Sequence, residues 1–212
     1  MAAQVTTIQS SQGPALIYRP NLAASRARRL IDVSVAAILL VFALPIIAAA
    51  CLLTWLEDGS PVLFRQRRAG RFERTFTIYK VRTMRKAHCQ DRPSPRDSAD
   101  PRVTTVGRFL RKASLDELPQ LFNVLRGDMT LVGPRPEMPL IINDYQRWQH
   151  LRHLITPGIT CIWQATCRSR IPLEDPKATA LDIDYIRRAS PALDGALLVR
   201  TLLSVAFQRG AY

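Results

Sequence analysis

The dominant feature of the hydropathy pattern is a run from Val33 to Leu56 without one charged side chain, bounded by Asp32 and Glu57. Such a run suits the apolar thickness of a bilayer, and it leaves no solvated face of the kind a helix in a soluble protein keeps. It starts too far from Met1 and continues too long for a cleavable signal core, so it reads as a retained segment. Arg26, Arg28 and Arg29 precede it, and Arg65, Arg67, Arg68, Arg71 and Arg74 follow it. By the positive-inside rule both flanks belong on the cytoplasmic side. A helix that enters, breaks at Pro45 and returns satisfies both, because proline there removes a backbone donor and crowds the preceding turn. A tilted span with a proline kink is the alternative.

The remaining pattern is mixed. Residues 1–24 are rich in Ser, Gln, Thr, Ala and Pro without a period and read as a flexible tail. The membrane segment then occupies 25–59, and 60–212 forms one further unit. Thr75 to Thr83 is dense in β-branched and aromatic residues and predicts a strand, whose period of two puts Lys80 and Arg82 on one face. Residues 87–102, with three prolines among polar neighbours, predict a loop. Leu118, Leu121, Phe122 and Leu125 recur at helical spacing, with Arg126 in the last turn and Gly127 placed to end the helix. Tyr145, Trp148, Leu151 and Ile155 predict a short helix that stops before Pro157-Gly158. Ala192 to Phe207 predicts a last apolar helix, packed on the core or lying at a lipid interface. The fold expected is α+β, helix-rich, with an N-terminal re-entrant membrane helix broken at Pro45 and followed by a small domain.

A chain of 212 residues holds one ordinary domain plus an appendage. A net charge of +13 attracts polyanions, whether nucleic acid, anionic headgroups or phosphorylated small molecules. Cys51, Cys89, Cys161 and Cys167 form no C-x-x-C pair, and His88, His150 and His153 supply no ligand spacing with them. These counts speak against a structural zinc site and for free thiols in a reducing compartment.

The candidate chemistry centres on Ser114-Leu115-Asp116-Glu117-Leu118-Pro119. Ser114 and Glu117 have capping-box spacing, which places Asp116 at a helix N-terminus where a carboxylate stays ionised and a phosphate is attracted. Such an Asp can attack phosphorus, and Glu117 beside it suits a divalent cation that neutralises phosphate oxygens. Carboxylates in a first turn are also ordinary caps worth about 1 kcal/mol, so the six residues alone leave both readings open. Their surroundings favour chemistry: Arg108, Arg111 and Lys112 come just before, and Gly133-Pro134-Arg135-Pro136 fixes a guanidinium between two prolines, ready for a diphosphate. Lys80 and Arg82, taken on their own, read first as a strand edge kept soluble by charge and second as a further phosphate clamp.

The stretch from Val106 to Glu137, with the Asp116-Glu117 pair and Pro134-Arg135-Pro136, resembles the bacterial sugar transferases, the monotopic polyprenyl-phosphate phosphoglycosyltransferases. The resemblance extends to Phe64-Arg65-Gln66, Tyr79-Lys80-Val81-Arg82-Thr83-Met84, Pro157-Gly158-Ile159-Thr160, Trp163-Gln164 and Asp182-Ile183-Asp184-Tyr185. It implies a short-form enzyme of the bacterial inner membrane, with its catalytic domain on the cytoplasmic face. It further implies transfer of a sugar 1-phosphate from a UDP-sugar to polyprenyl (undecaprenyl) phosphate, with UMP released through a covalent aspartyl-phosphosugar, as the first membrane step of exopolysaccharide, O-antigen or glycoconjugate synthesis. On this sequence Asp116 would be the nucleophile and Glu117 the holder of Mg²⁺. Lys80, Arg82, Arg111 and Arg135 would hold phosphates, and Asp182 matches a further acidic position of the substrate site. Cys161 and Cys167 stand where many members carry glycines. The partners implied are the UDP-sugar, the polyprenyl phosphate and the lipid bilayer, with room for a homodimer.

Two rivals fit less of the chain. A nucleic-acid-binding protein would explain the charge, but no RNP, zinc-finger or basic-zipper pattern occurs and the apolar run is out of place; no nucleic acid is expected as partner. A non-catalytic membrane scaffold would keep the apolar run yet has no need of Asp116 beside Glu117.

Overall fold

The structure, a computed structural model, describes residues 6–8, 16–18, 26–86, 100–167, 171–173 and 175–206. Most of the loop expected over 87–102 therefore lies outside the described residues, as do His88 and Cys89. Within the expected tail, β1 (Thr6–Ile8) and β2 (Leu16–Tyr18) pair antiparallel, with Thr7 opposite Ile17.

Helix α1 (Arg26–Asp58) contains the whole apolar run. It continues through Pro45, so the expected break is not a break in secondary structure. Pro45 removes the bond its nitrogen would have made to the Val41 carbonyl, and the helix accommodates that single loss. Asp32, Ala36, Leu40, Ala43, Ile47, Ala50 and Thr54 recur every three or four residues and form one buried stripe. The other faces are exposed and apolar, among them Ile38, Phe42, Ile46, Leu53, Trp55 and Leu56. By length and composition the helix could cross a membrane, and an apolar surface that continuous marks contact with lipid or protein.

A hairpin follows, β3 (Leu63–Ala69) against β4 (Thr75–Val81), with Gln66 opposite Ile78 and Arg68 opposite Phe76. Gln66, Arg68, Ile78 and Lys80 thus share one face. Helix α2 (Thr105–Lys112) is capped twice: Thr104 Oγ1 accepts from Gly107 N, and the Glu57 carboxylate at the end of α1 accepts from Thr105 N and Val106 N. Residue 107 must be glycine, since a Cβ there would stand 2.2 Å from the Thr83 carbonyl oxygen.

Helix α3 (Gln120–Arg126) ends at Gly127 with φ 95°, as the glycine signal predicts. The alanines at 36, 43 and 50, seven residues apart, give α1 a low ridge against which α3 packs closely. After α3 come β5 (Thr130–Val132), α4 (Pro139–Ile142) and a 3₁₀ turn over Gln149–Leu154, where the short helix was expected. Then follow β6 (Gly158–Thr160) parallel to β5, α5 (Ile162–Thr166), α6 (Pro176–Arg188) and α7 (Pro191–Ala206). Helix α7 exposes Val199, Leu202 and Leu203. One core joins the α1 stripe to Ile78, Leu121, Val124, Leu131 and Tyr185, and the helix-rich α+β class is as expected.

Both ends of α1 are tied to this core. Near its start, Arg28 donates to the Val132 carbonyl and the Tyr185 hydroxyl, both at 2.6 Å, while Asp32 accepts from Thr130 Oγ1 and Leu131 N. At its end, Arg82 donates to the carbonyls of Asp58 and Gly59.

Candidate active site

The chain reverses at the end of α2 through Ser114, whose φ of 53° lies in the left-handed region. Leu115–Glu117 is a 3₁₀ turn, and α3 begins only at Gln120. The expected capping box is not formed: no side-chain cap opens the turn, and the Glu117 carboxylate points elsewhere. Asp116 and Glu117 are 7% and 6% exposed.

Three elements converge on Glu117. From β4, Lys80 Nζ reaches Oε1 at 2.9 Å; from the loop after β5, Arg135 Nη2 reaches the same oxygen at 2.6 Å. From α5, Gln164 Nε2 donates to Oε2 at 3.4 Å, while Gln164 Oε1 accepts from Arg135 Nη1 at 2.8 Å. Glu117 is therefore the meeting point of two cations and an amide, next in sequence to Asp116. Arg111, on the last turn of α2, donates from Nε to Thr83 Oγ1 at 2.8 Å, which orients it beside the end of β4.

The geometry of the Arg135 loop explains its sequence. Gly133 and Gly158 are mutually close: a Cβ on Gly158 would lie 2.1 Å from Gly133 N. Only glycine admits so near a backbone approach, and it lets Gly158 N donate to the Pro134 carbonyl at 2.9 Å.

Two expected site residues fall elsewhere. Arg82 is 1% exposed and, besides its two carbonyl contacts, faces Asp58 Oδ2 at 3.2 Å. It closes the C-terminal end of α1, where a cation is favoured, and does not join Lys80. The strand ends at Val81, so the shared face that periodicity predicts does not extend to residue 82. Asp182, on α6, is 1% exposed and pairs with Arg152 at 2.6 Å, one layer behind Arg135. Sequence reasoning missed Gln164 as a site residue, although it stands in the Trp163-Gln164 match; it also missed Arg152, for which the sequence holds no signal.

Electrostatics sort these groups. Burial pushes the Lys80 ammonium below its ordinary value; Glu117 opposes this and the neighbouring Arg135 adds to it. For Arg135 burial works the same way, but Glu117 outweighs it and the guanidinium holds its proton more firmly than usual. Burial raises the Asp182 carboxyl to about 6, with Arg152 opposing. Cys161 caps α5 by accepting from Gln164 N, and burial pushes its thiol up to about 12, so it is an inert packing group at neutral pH.

Among the described residues no group of three or more His, Cys, Asp or Glu side chains could hold a metal ion. Mg²⁺ needs only one or two carboxylates when substrate phosphates complete its shell. The adjacent carboxylates Asp116 and Glu117 fit that requirement, and Glu117 would have to give up its contacts with Lys80 and Arg135 to hold the ion.

The family described as bacterial sugar transferase matches residues 23–208. The UDP-glucose:undecaprenyl-phosphate glucose-1-phosphate transferase of Caulobacter vibrioides is 39% identical over 211 residues, covering 91% of this chain and 74% of that protein. The undecaprenyl-phosphate glucose phosphotransferase of Komagataeibacter xylinus is 36% identical, covering 87% of this chain but 37% of its own length. The exopolysaccharide production protein ExoY of Sinorhizobium fredii is 34% identical, with 88% of each chain covered. The chain thus spans well under half of some curated relatives and most of others.

Proposed function

Because the chain belongs to the bacterial sugar transferase family, we propose that it moves a sugar 1-phosphate from a UDP-sugar to undecaprenyl phosphate at the cytoplasmic face of the inner membrane, as a step of exopolysaccharide or related glycan synthesis. The observation that carries this reading is the convergence of Lys80 and Arg135 on Glu117, next to Asp116. Two cations gathered around adjacent carboxylates bind a diphosphate and leave one carboxylate to react.

In the first step an Asp116 carboxylate oxygen attacks the β-phosphorus of the UDP-sugar, the bond to the bridging oxygen breaks, and UMP leaves with that oxygen. In the second, a phosphate oxygen of undecaprenyl phosphate attacks the same phosphorus and Asp116 is released. Lys80 and Arg135 hold the non-bridging oxygens, and Gln164 keeps the Arg135 fork oriented. Mg²⁺, held by Glu117 and the substrate, would supply further charge neutralisation.

The placement of α1 supports a membrane path with both ends on one face. Its two ends bond to the same polar domain, whereas a straight crossing would put them on opposite sides of about 30 Å of hydrocarbon. On this reading the helix bends around Pro45, so that the chain returns to the face it left and the lipid carrier and the aqueous nucleotide sugar reach one site.

Detergent-solubilised protein with Mg²⁺, undecaprenyl phosphate and a panel of UDP-sugars should release UMP. Asp116→Asn should lower that release on the order of 10⁴-fold, and without the lipid acceptor the wild type should gain the mass of one phosphosugar on Asp116. A folded wild type inert toward every UDP-sugar would overturn the proposal.

A further inference from the structure

The Pro134-Arg135-Pro136 loop has an unusual support. Two of its three residues lack a backbone N–H, so the loop is held through its carbonyls, and four in succession are each bonded from a different place. Pro134 O accepts from Gly158 N at 2.9 Å, Arg135 O from Arg152 Nη2 at 2.7 Å, Pro136 O from Arg68 Nη1 at 3.3 Å, and Glu137 O from Ala69 N at 2.9 Å. The carbonyl nearest the functional guanidinium is thus fixed by a side chain. That side chain is 1% exposed and bonds to Tyr145, Asp182 and the Arg135 carbonyl.

Arg152 is itself over-determined. Nη1 donates to the Tyr145 hydroxyl at 2.6 Å, and Nη2 is shared between the Arg135 carbonyl and Asp182 Oδ2 at 2.6 Å. A planar fork can serve these partners together; an ammonium is a single point charge and cannot reproduce it.

We propose that Arg152, locked by Asp182 and Tyr145, is a positioning residue for the phosphate-binding Arg135: it fixes the backbone of residue 135 so that the guanidinium meets Glu117 and the diphosphate of the nucleotide sugar. This rests on the transferase reading above. It also accounts for the acidic position at Asp182, which acts through Arg152 and the loop instead of touching substrate.

The test uses the full chain in detergent and two variants. Arg152→Lys keeps a charge for Asp182 but loses the fork. The double variant Arg152→Met with Asp182→Leu replaces the whole ion pair by apolar groups, an exchange that buried pairs commonly tolerate without loss of stability. Both should melt within a few degrees of the wild type. Both should nevertheless show kcat/KM for UDP-sugar reduced about 10- to 100-fold, the scale of a displacement near 1 Å at a reacting group, and faster amide exchange in the peptide covering 131–142. Activity within twofold of wild type and unchanged exchange there, in whichever variant melts like the wild type, would overturn the inference. A wild type that releases no UMP would sink the transferase reading instead, and the exchange measurement would still decide the positioning role.

Discussion

Two buried arginine–carboxylate pairs lie one layer apart, each closed at 2.6 Å, yet they differ in access. Arg135 and Glu117 are 16% and 7% exposed in their side chains, and a second cation, Lys80, shares the same oxygen. Arg152 and Asp182 are 1% and 2% exposed. The first pair is partly open to solvent and its carboxylate is shared by two cations, which suits the exchange of partners that the proposed transfer requires. The second is closed to solvent, and its arginine also holds the Arg135 carbonyl. Distance alone does not separate a reactive ion pair from a framework one; exposure and the number of competing partners do.

That contrast can be attacked directly. The largest expected effect on stability is at the inner pair: Asp182→Leu alone strands Arg152 without its counter-charge and should destabilise the fold by about 3 to 5 kcal/mol in denaturant titration. If it costs less than about 1 kcal/mol, the inner pair is not framework. Next is the pH dependence of His153, which packs beside that pair. Burial, and then Arg152, hold its ring down to about 4, with Glu73 partly opposing and His150 nearby. A depressed imidazole contributes stability above its unfolded value of 6.5, lost as pH falls from there toward 4. The share of His153 is about 3 kcal/mol at 1.36 kcal/mol per unit; the raised Asp182 carboxyl works in the opposite sense over the same window, so the share is read as the difference between wild type and His153→Gln. The smallest effect is at the outer pair: Lys80→Met should raise KM for UDP-sugar about 10- to 100-fold while shifting stability by less than about 1 kcal/mol. A melting loss as large as that of Asp182→Leu would erase the distinction.

How much of this the sequence made legible follows the range of the forces involved. Local signals held: the uncharged run became α1, the β-branched segment became β4, and Gly127 closed α3. Asp116, Glu117 and Arg135 were singled out because their chemistry is written in adjacent residues, and the side chains of Glu117 and Arg135 do meet. What the sequence did not show depends on distant partners. Arg82 looked equivalent to Lys80 two positions away, but the open carbonyls at the end of α1 captured it. Asp182 was expected in the substrate site, and only folding shows that it pairs with Arg152, thirty residues earlier. The capping box at Ser114 failed because Glu117 finds two cations from other elements, which outweigh a cap worth about 1 kcal/mol.

Helix α1 carries one last implication, for anyone wishing to handle this protein in water. The same segment that seeks lipid also supplies Asp32 to β5, Glu57 to the start of α2 and a stripe of side chains to the common core. Cutting it away to gain solubility would remove a structural wall along with the tether. For this chain the segment long and apolar enough to cross a membrane is also part of the packed fold.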